Sequence, residues 1–185
     1  VKAHTCAFAR ERAAAAGLGN VTVFEGSVDE FAASGAALGL VLGLHLCGLL
    51  SDAVLELAAA RRARACLVPC CYGQLAGSED HKRGVGTTPR MHPRSRAYRT
   101  ALGPEGVDAF WAVVKSADSV AVGKGGAFDA SAPGFTKARQ CMRCVDTDRL
   151  LWAYECHGYQ GTLASLEPLA CSPKNSVLLL WPSDG

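Results

Sequence analysis

An α/β protein built on an open, mainly parallel sheet is what this sequence predicts, and three observations carry the prediction. Leu38 to Leu46 is a continuously apolar run, Ala65 to Pro69 is a second one, and a helical stretch opening at Ser51 lies between them. Strand, helix, strand is a βαβ unit, whose connection is right-handed and whose strands pair in parallel under helical cover. At the far end, Tyr159 to Leu166 and Ser176 to Trp181 are two strand-like runs joined by a short loop, which makes an antiparallel hairpin.

The elements follow in order. His4 to Ala16 is the end of an amphipathic helix stopped by Gly17 and Gly19. Val21 to Phe24, β-branched and bounded by Gly26, reads as a strand, and Val28 to Ala33 as a short helix. The apolar run ending at Leu46 lacks polar alternation, as expected for a strand covered on both faces. Ser51 serves as N-cap of the next helix, which runs through the two arginines at 61 and 62. A loop from about Gln74 to Ser95 carries Lys82, Arg83, Arg90 and Arg94. Tyr98 to Leu102 and Val107 to Ala117 are helical, separated by Gly103 and Pro104, and Gly123 to Gly134 is a linker or lid. Thr136 to His157 is a long helix with Met142, Val145, Trp152 and Cys156 on one stripe and Gly158 as its stop. Asp146, Asp148 and Arg149 fall in that helix, Arg149 on the apolar stripe, so a buried structural ion pair is expected there.

Composition removes several classes. The chain has 185 residues, 49% of them apolar, and a net charge of +2, so it is one globular domain and not a disordered segment. No apolar run approaches the roughly 20 residues of a membrane-spanning helix, and no membrane partner is expected. Nine cysteines are fewer than a disulfide-stapled module would carry. No disulfide partner is expected, and the reading is a reducing, cytoplasmic compartment.

Ligands of open α/β sheets sit beyond the carboxyl ends of the strands. The first strand of the βαβ unit ends in His45, Cys47 and Gly48, with Asp52 one turn on; the second ends in Cys70, Cys71, Tyr72 and Gly73. The loop before the last strand brings Lys174 and Asn175 to the same edge. Three chemistries compete for this rim. One His and three Cys (His45, Cys47, Cys70, Cys71) have the softness for tetrahedral zinc, but the spacing is no known finger pattern, and adjacent cysteines seldom both face an ion. A thiolate paired with His45 would be a nucleophile, although a cysteine following Leu-Val-Pro is more often a small buried hydrophobe. The favoured reading is a polar rim for cofactor and substrate, with His45, Asp52 and Tyr72 orienting ligands and no metal. Cys141 and Cys144 have redox-like spacing but lie inside a helix with no strand before it, so they read as two ordinary thiols.

These residues together resemble a family. His45-Leu-Cys47-Gly48, Asp52, Pro69-Cys70-Cys71-Tyr72-Gly73, His92-Pro93 with Ser95, Asp146-Thr-Asp148-Arg149, Gly158-Tyr159 and Ser172-Pro173-Lys174-Asn175 are similar to the methyltransferase-like domain of the glutathione S-transferase C-terminal domain-containing proteins. The resemblance spans nearly the whole chain. It implies a Rossmann-like, class I S-adenosylmethionine-dependent methyltransferase sheet with a C-terminal antiparallel hairpin. It also implies a Gly-rich turn and a ribose-binding acid upstream of Val1, so residues 1–185 read as a partial domain lacking its first strands. The cofactor positions it carries over are Ser27, Val28 and Asp29 near the adenine, with His45, Cys47 and Gly48 flanking the sulfonium. The catalytic candidates are His45 and Asp52 as bases, with Tyr72, Lys174 and Asn175 at the rim. The basic loop 81–99 reads first as a solvated charged loop and, as the functional alternative, as the contact for an anionic substrate, with tRNA or other RNA as the candidate and protein left open. A catalytically inactive binding or scaffold module and a zinc-stabilised domain are the alternatives.

Overall fold

The computed structural model describes residues 3–75, 90–119 and 128–183. Among these residues there are six α-helices and one sheet: α1 (Ala3–Ala15), α2 (Val28–Ala33), α3 (Leu50–Ala60), α4 (Arg96–Leu102), α5 (Val107–Ser116) and α6 (Pro133–His157). The strands are β1 (Leu40–Leu46), β2 (Arg64–Pro69), β3 (Tyr159–Ser165) and β4 (Ser176–Pro182), in the order β1-β2-β4-β3. β1 and β2 pair in parallel around α3, as the βαβ reading requires, and β4 is antiparallel to both β2 and β3. The architecture is mixed α/β. No helix among the described residues is long and apolar enough to cross a membrane.

Residue parity decides which face of the sheet is buried. Ala65 and Leu67 of β2 and Leu178 and Leu180 of β4 point to one side, where they join Leu55, Ala58 and Ala59 of α3 and Ala153 of α6 in a continuous core. Tyr159 closes it: its buried hydroxyl lies 2.9 Å from the carbonyl oxygens of both Ala58 and Ala63, tying the start of β3 to the end of α3. A second core lies between α5, α6 and the turn after β2, around Tyr72, Phe110, Val114, Met142 and Val145.

Several expectations are corrected. β1 is not covered on both faces. Leu40, Leu42 and Leu44 are 55%, 72% and 66% exposed, because α3 and α6 cover one face only and β1 stands at the edge of the described sheet. Val21 to Phe24 forms no strand: an isolated extended segment has no ladder to satisfy its backbone, and no described strand lies beside it. Ser51 is not the N-cap of α3. The helix starts two residues earlier, at Leu50 with Leu49 as N-cap, and the Ser51 hydroxyl instead donates to the Leu46 carbonyl at 2.8 Å, fastening α3 to the end of β1. In α6, Met142, Val145 and Arg149 are buried, but Cys156 is exposed. α6 ends as expected, on Gly158 in the left-handed region at φ 62°. Residues 123–127 of the Gly-rich segment and 76–89 of the basic loop lie outside the described residues.

Candidate functional site at the carboxyl ends of β1 and β2

The parallel register brings the two strand ends together. Leu46 pairs with Pro69, and because Leu44 pairs with Val68, His45 is an extra residue bulged from the ladder. Its backbone is left-handed, φ 57°, a conformation a β-carbon disfavours, and its side chain is exposed. Past the strands, Gly48 N–H donates to the Cys71 carbonyl at 3.0 Å, joining the two turns. Gly48 is also left-handed, φ 53°, and an added β-carbon would sit 2.9 Å from Gln74 Cβ, so glycine is required.

Three sulfurs meet here. Cys47 Sγ lies 3.1 Å from Cys70 Sγ and 3.3 Å from Cys71 Sγ, and the last two are 3.4 Å apart. Burial, followed by the neighbouring thiols, pushes the Cys70 and Cys71 thiols up from their ordinary value. Neither is therefore an activated thiolate on its own, which weighs against the nucleophile reading.

Beneath the rim is a buried polar layer. Asp52 of α3 receives Arg149 of α6 at 3.2 Å on each oxygen and Arg94 at 3.2 Å, with His92 Nε2 at 3.5 Å. Arg149 also donates to Asp146 at 3.0 Å, as the i, i+3 spacing on α6 allows. Asp146 in turn accepts the Tyr72 hydroxyl at 2.7 Å and the Ser176 hydroxyl at 2.6 Å. Burial alone would raise the Asp52 carboxyl, but Arg149, His92 and Arg94 outweigh it and hold it well below the usual carboxylate range. At Asp146 burial prevails over the same kinds of donors, and its carboxyl is raised. Burial and the Asp146 charge keep the Tyr72 phenol protonated.

A second set of contacts shapes the rim. Asp118 accepts the N–H groups of Tyr72 at 3.1 Å and Gly73 at 2.6 Å, fixing the turn after β2. Lys174 bridges back, donating to Asp118 at 2.5 Å and to the Ala117 carbonyl at 2.7 Å. Asn175 is buried; its Nδ2 reaches the Leu169 carbonyl only at 3.5 Å, and its Oδ1 has no partner. Continuing the antiparallel register of β2 and β4 places Asn175 opposite Cys70.

A family model described as a methyltransferase domain matches residues 1–78, the stretch that supplies β1, β2 and the rim between them. Over 183 residues the chain is 33% identical to the glutathione S-transferase C-terminal domain-containing protein homolog of Drosophila melanogaster, covering 96% of this chain and 27% of that protein. The glutathione S-transferase C-terminal domain-containing proteins of Xenopus laevis and Homo sapiens are 30% and 28% identical, each over 94% of this chain and over 25% and 24% of their own lengths. The chain carries a methyltransferase-like domain of this family. It spans about a quarter of the length of the curated relatives it matches. No solved structure matches it.

Within this methyltransferase-like domain the residues singled out from sequence divide by what their polar groups already do. Ser27 caps α2: its hydroxyl accepts from Glu30 N–H at 3.1 Å, and Glu30 returns the bond to Ser27 N–H at 2.5 Å. Val28 packs against both cores, and Gly48 has its backbone groups engaged with Cys71 and Arg149. Asp29 is half-buried and His45 exposed, and both offer polar side chains to a ligand. Asp52 and Tyr72 lie in the buried layer, 0% and 1% exposed. Of the cofactor candidates, Asp29 and His45 are the two whose side-chain polar groups no described hydrogen bond engages.

The basic loop holds a surprise at its described end. Arg90 donates to Glu56 at 2.9 and 2.6 Å, and Arg94 donates to Glu56 at 2.6 Å while stacking 3.8 Å above Trp152. Both arginine side chains are buried, so these two charges hold the chain onto α3 and α6; Lys82 and Arg83 lie outside the described residues. Sequence reasoning missed Asp118, Glu56 and Ser176. Each is a single polar residue in an unremarkable local pattern, and only tertiary contact reveals its partner.

Proposed function

We propose that this domain binds S-adenosylmethionine and transfers its methyl group to RNA at the rim beyond β1 and β2. The observation that carries the reading is His45: an exposed imidazole held on a strained bulge at a strand end, within the segment matched by the methyltransferase family model. When bound, the cofactor supplies an electrophilic methyl group. His45 takes the proton from the attacking hydroxyl or ring nitrogen, and Asp29 accepts a hydrogen bond from the adenine. Asp52 is better suited to a fixed structural anion than to a base, since its carboxylate is buried and held by Arg149 and Arg94. Tyr72, Asn175 and Lys174 set the floor and edge of the site. Cys47 and Gly48 shape its wall.

The sheet continues past β1 in this proposal, as in a Rossmann-like class I methyltransferase. Among the described residues β1 has an unpaired edge, which supports an additional strand there, and its exposed Leu40, Leu42 and Leu44 support further cover over the same face of the sheet. Nine free thiols suit a reducing compartment such as the cytoplasm. A second reading, a methyltransferase-like module that binds without catalysing, is favoured by the engagement of Ser27 and Gly48 in purely structural bonds.

Labelled methyl transfer from S-adenosylmethionine to total cellular RNA by the full-length protein tests the proposal. The expected result is incorporation that His45→Ala reduces by about a hundredfold or more, within the usual range for a general base. A wild type that binds the cofactor but labels no RNA overturns the substrate assignment, and His45→Ala with normal turnover removes the base.

A further inference from the structure

Cys47, Cys70 and Cys71 have no part in the transfer proposed above beyond lining its wall, yet their three sulfurs lie within 3.1 to 3.4 Å of one another. Cys47 follows β1 and the other two follow β2, so the parallel register sets the triangle. The turns are locked by Gly48 N–H on the Cys71 carbonyl at 3.0 Å and Cys70 N–H on the Leu46 carbonyl at 3.4 Å, neither of which involves sulfur. The backbone therefore holds the three sulfurs together whether or not anything binds them. Adjacent cysteines were expected to point apart; here both Cys70 and Cys71 turn toward Cys47.

Cys70 is buried while Cys47 and Cys71 are half-buried, so solvent reaches the cluster from the Cys47 and Cys71 side. One disulfide would use two of the sulfurs and leave the third; a soft cation would use all three. A zinc–sulfur bond of about 2.3 Å in tetrahedral geometry sets sulfurs about 3.75 Å apart, so a triangle of 3.1 to 3.4 Å edges has to open by about half an ångström. Small rotamer changes in three short side chains supply that. Among the described residues this is also the one group of three His, Cys, Asp or Glu side chains whose ligand atoms converge closely enough for a metal, and His45 is not in it.

We propose that Cys47, Cys70 and Cys71 form a three-thiolate site for a soft divalent cation of the zinc type, with water in the fourth position. Binding forms three metal–sulfur bonds and releases the three thiol protons to solvent, giving a complex of net charge −1 without any change of oxidation state. The site is independent of methyl transfer: it needs no cofactor and stands in a catalytically inactive module equally well. Among the described residues no fourth protein ligand joins the three sulfurs, which distinguishes the site from a closed structural centre with four protein ligands.

The test uses the full chain, fully reduced with a phosphine and stripped of metal, titrated with Co²⁺ and then Zn²⁺. Expected are a thiolate-to-cobalt charge-transfer band saturating at one equivalent, its displacement by one equivalent of Zn²⁺, and release of about three protons per Zn²⁺ in weak buffer. Cys47→Ser and Cys71→Ser should each abolish the band, while Cys144→Ser and Cys171→Ser, at exposed thiols elsewhere, should leave it intact. Circular dichroism checks that the variants fold; if they do not, stoichiometry and proton release on the wild type decide alone. A folded, reduced wild type without the band, or with fewer than two protons released, overturns the proposal. So does loss of the band in Cys144→Ser with retention in Cys71→Ser.

Discussion

Arg149 of α6 and Asp52 of α3 meet side-on inside the protein, Nε to Oδ1 and Nη2 to Oδ2 both at 3.2 Å, with neither side chain more than 2% exposed. This pair links the helix packed under β1 and β2 to the helix packed under the hairpin. It thereby fixes the distance between the two halves of the sheet on which the rim is built. Removing one partner strands the other as an uncompensated buried charge. Asp52→Asn should therefore cost about 3–5 kcal/mol in urea denaturation at neutral pH, and the double variant Asp52→Leu with Arg149→Met should recover much of it. A loss under about 1 kcal/mol in the single variant would mean that Arg94, Glu56 and Asp146 carry the layer without this pair.

The pH dependence of the same pair has a definite sign. Asp52 is held well below its ordinary value of 3.8, so the stability it contributes is fully present above that value and is lost as pH falls through the lower folded value. Asp146, raised by burial, works in the opposite sense: its protonation as pH falls favours the folded state. The stability difference between wild type and Asp52→Asn should be flat from about pH 8 to 5 and shrink below about pH 4. A difference that grows on acidification would contradict the assignment.

At the rim, His45 and Gly48 adopt nearly the same left-handed backbone, φ 57° and 53°, with only one of them a glycine. Gly48→Ala should destabilise the fold by about 1–2 kcal/mol from the backbone conformation alone, and more from the collision with Gln74. His45 already bears that backbone cost. His45→Gly should be more stable than His45→Ala by up to about 1 kcal/mol, and both should lose methyl transfer. Thermal unfolding of the three variants beside wild type gives the ranking; equal stabilities for His45→Gly and His45→Ala would show that the bulge is relaxed.

How much of this was legible in the sequence follows from what each signal measures. The βαβ unit, the hairpin and the stop of α6 at Gly158 are local patterns of apolar runs and turn residues, and they appear as expected. The Arg149 ion pair was legible because a charged residue on an apolar helical stripe has to be neutralised. Val21 to Phe24 failed because strand formation depends on a neighbour, which residue preference does not encode. Ser51 failed because its hydroxyl found a tertiary acceptor at Leu46 in place of the helix end. The rim sulfurs could be placed near one another from topology, but whether Cys70 and Cys71 face the same way depends on the turn geometry that Asp118 imposes from 45 and more residues away.

The apolar surface of β1 separates two conditions of the domain. In the 185-residue chain Leu42 is 72% exposed, and Leu42→Lys should change stability by less than about 0.5 kcal/mol. In a longer version whose further strand and helix cover this face, the same substitution should cost about 2 kcal/mol or more, because it buries a charge. Denaturation of both versions measures the contrast; a small effect in each would contradict a sheet that extends past β1.

Methyl transfer by this domain requires that S-adenosylmethionine bind at the rim. Isothermal titration of the cofactor into the 185-residue chain and into an N-terminally extended protein tests it most directly. Saturable, one-to-one binding by the extended protein, weakened in Asp29→Ala, is the expected result. Absence of binding by both would contradict it and leave a methyltransferase-like fold used for binding alone.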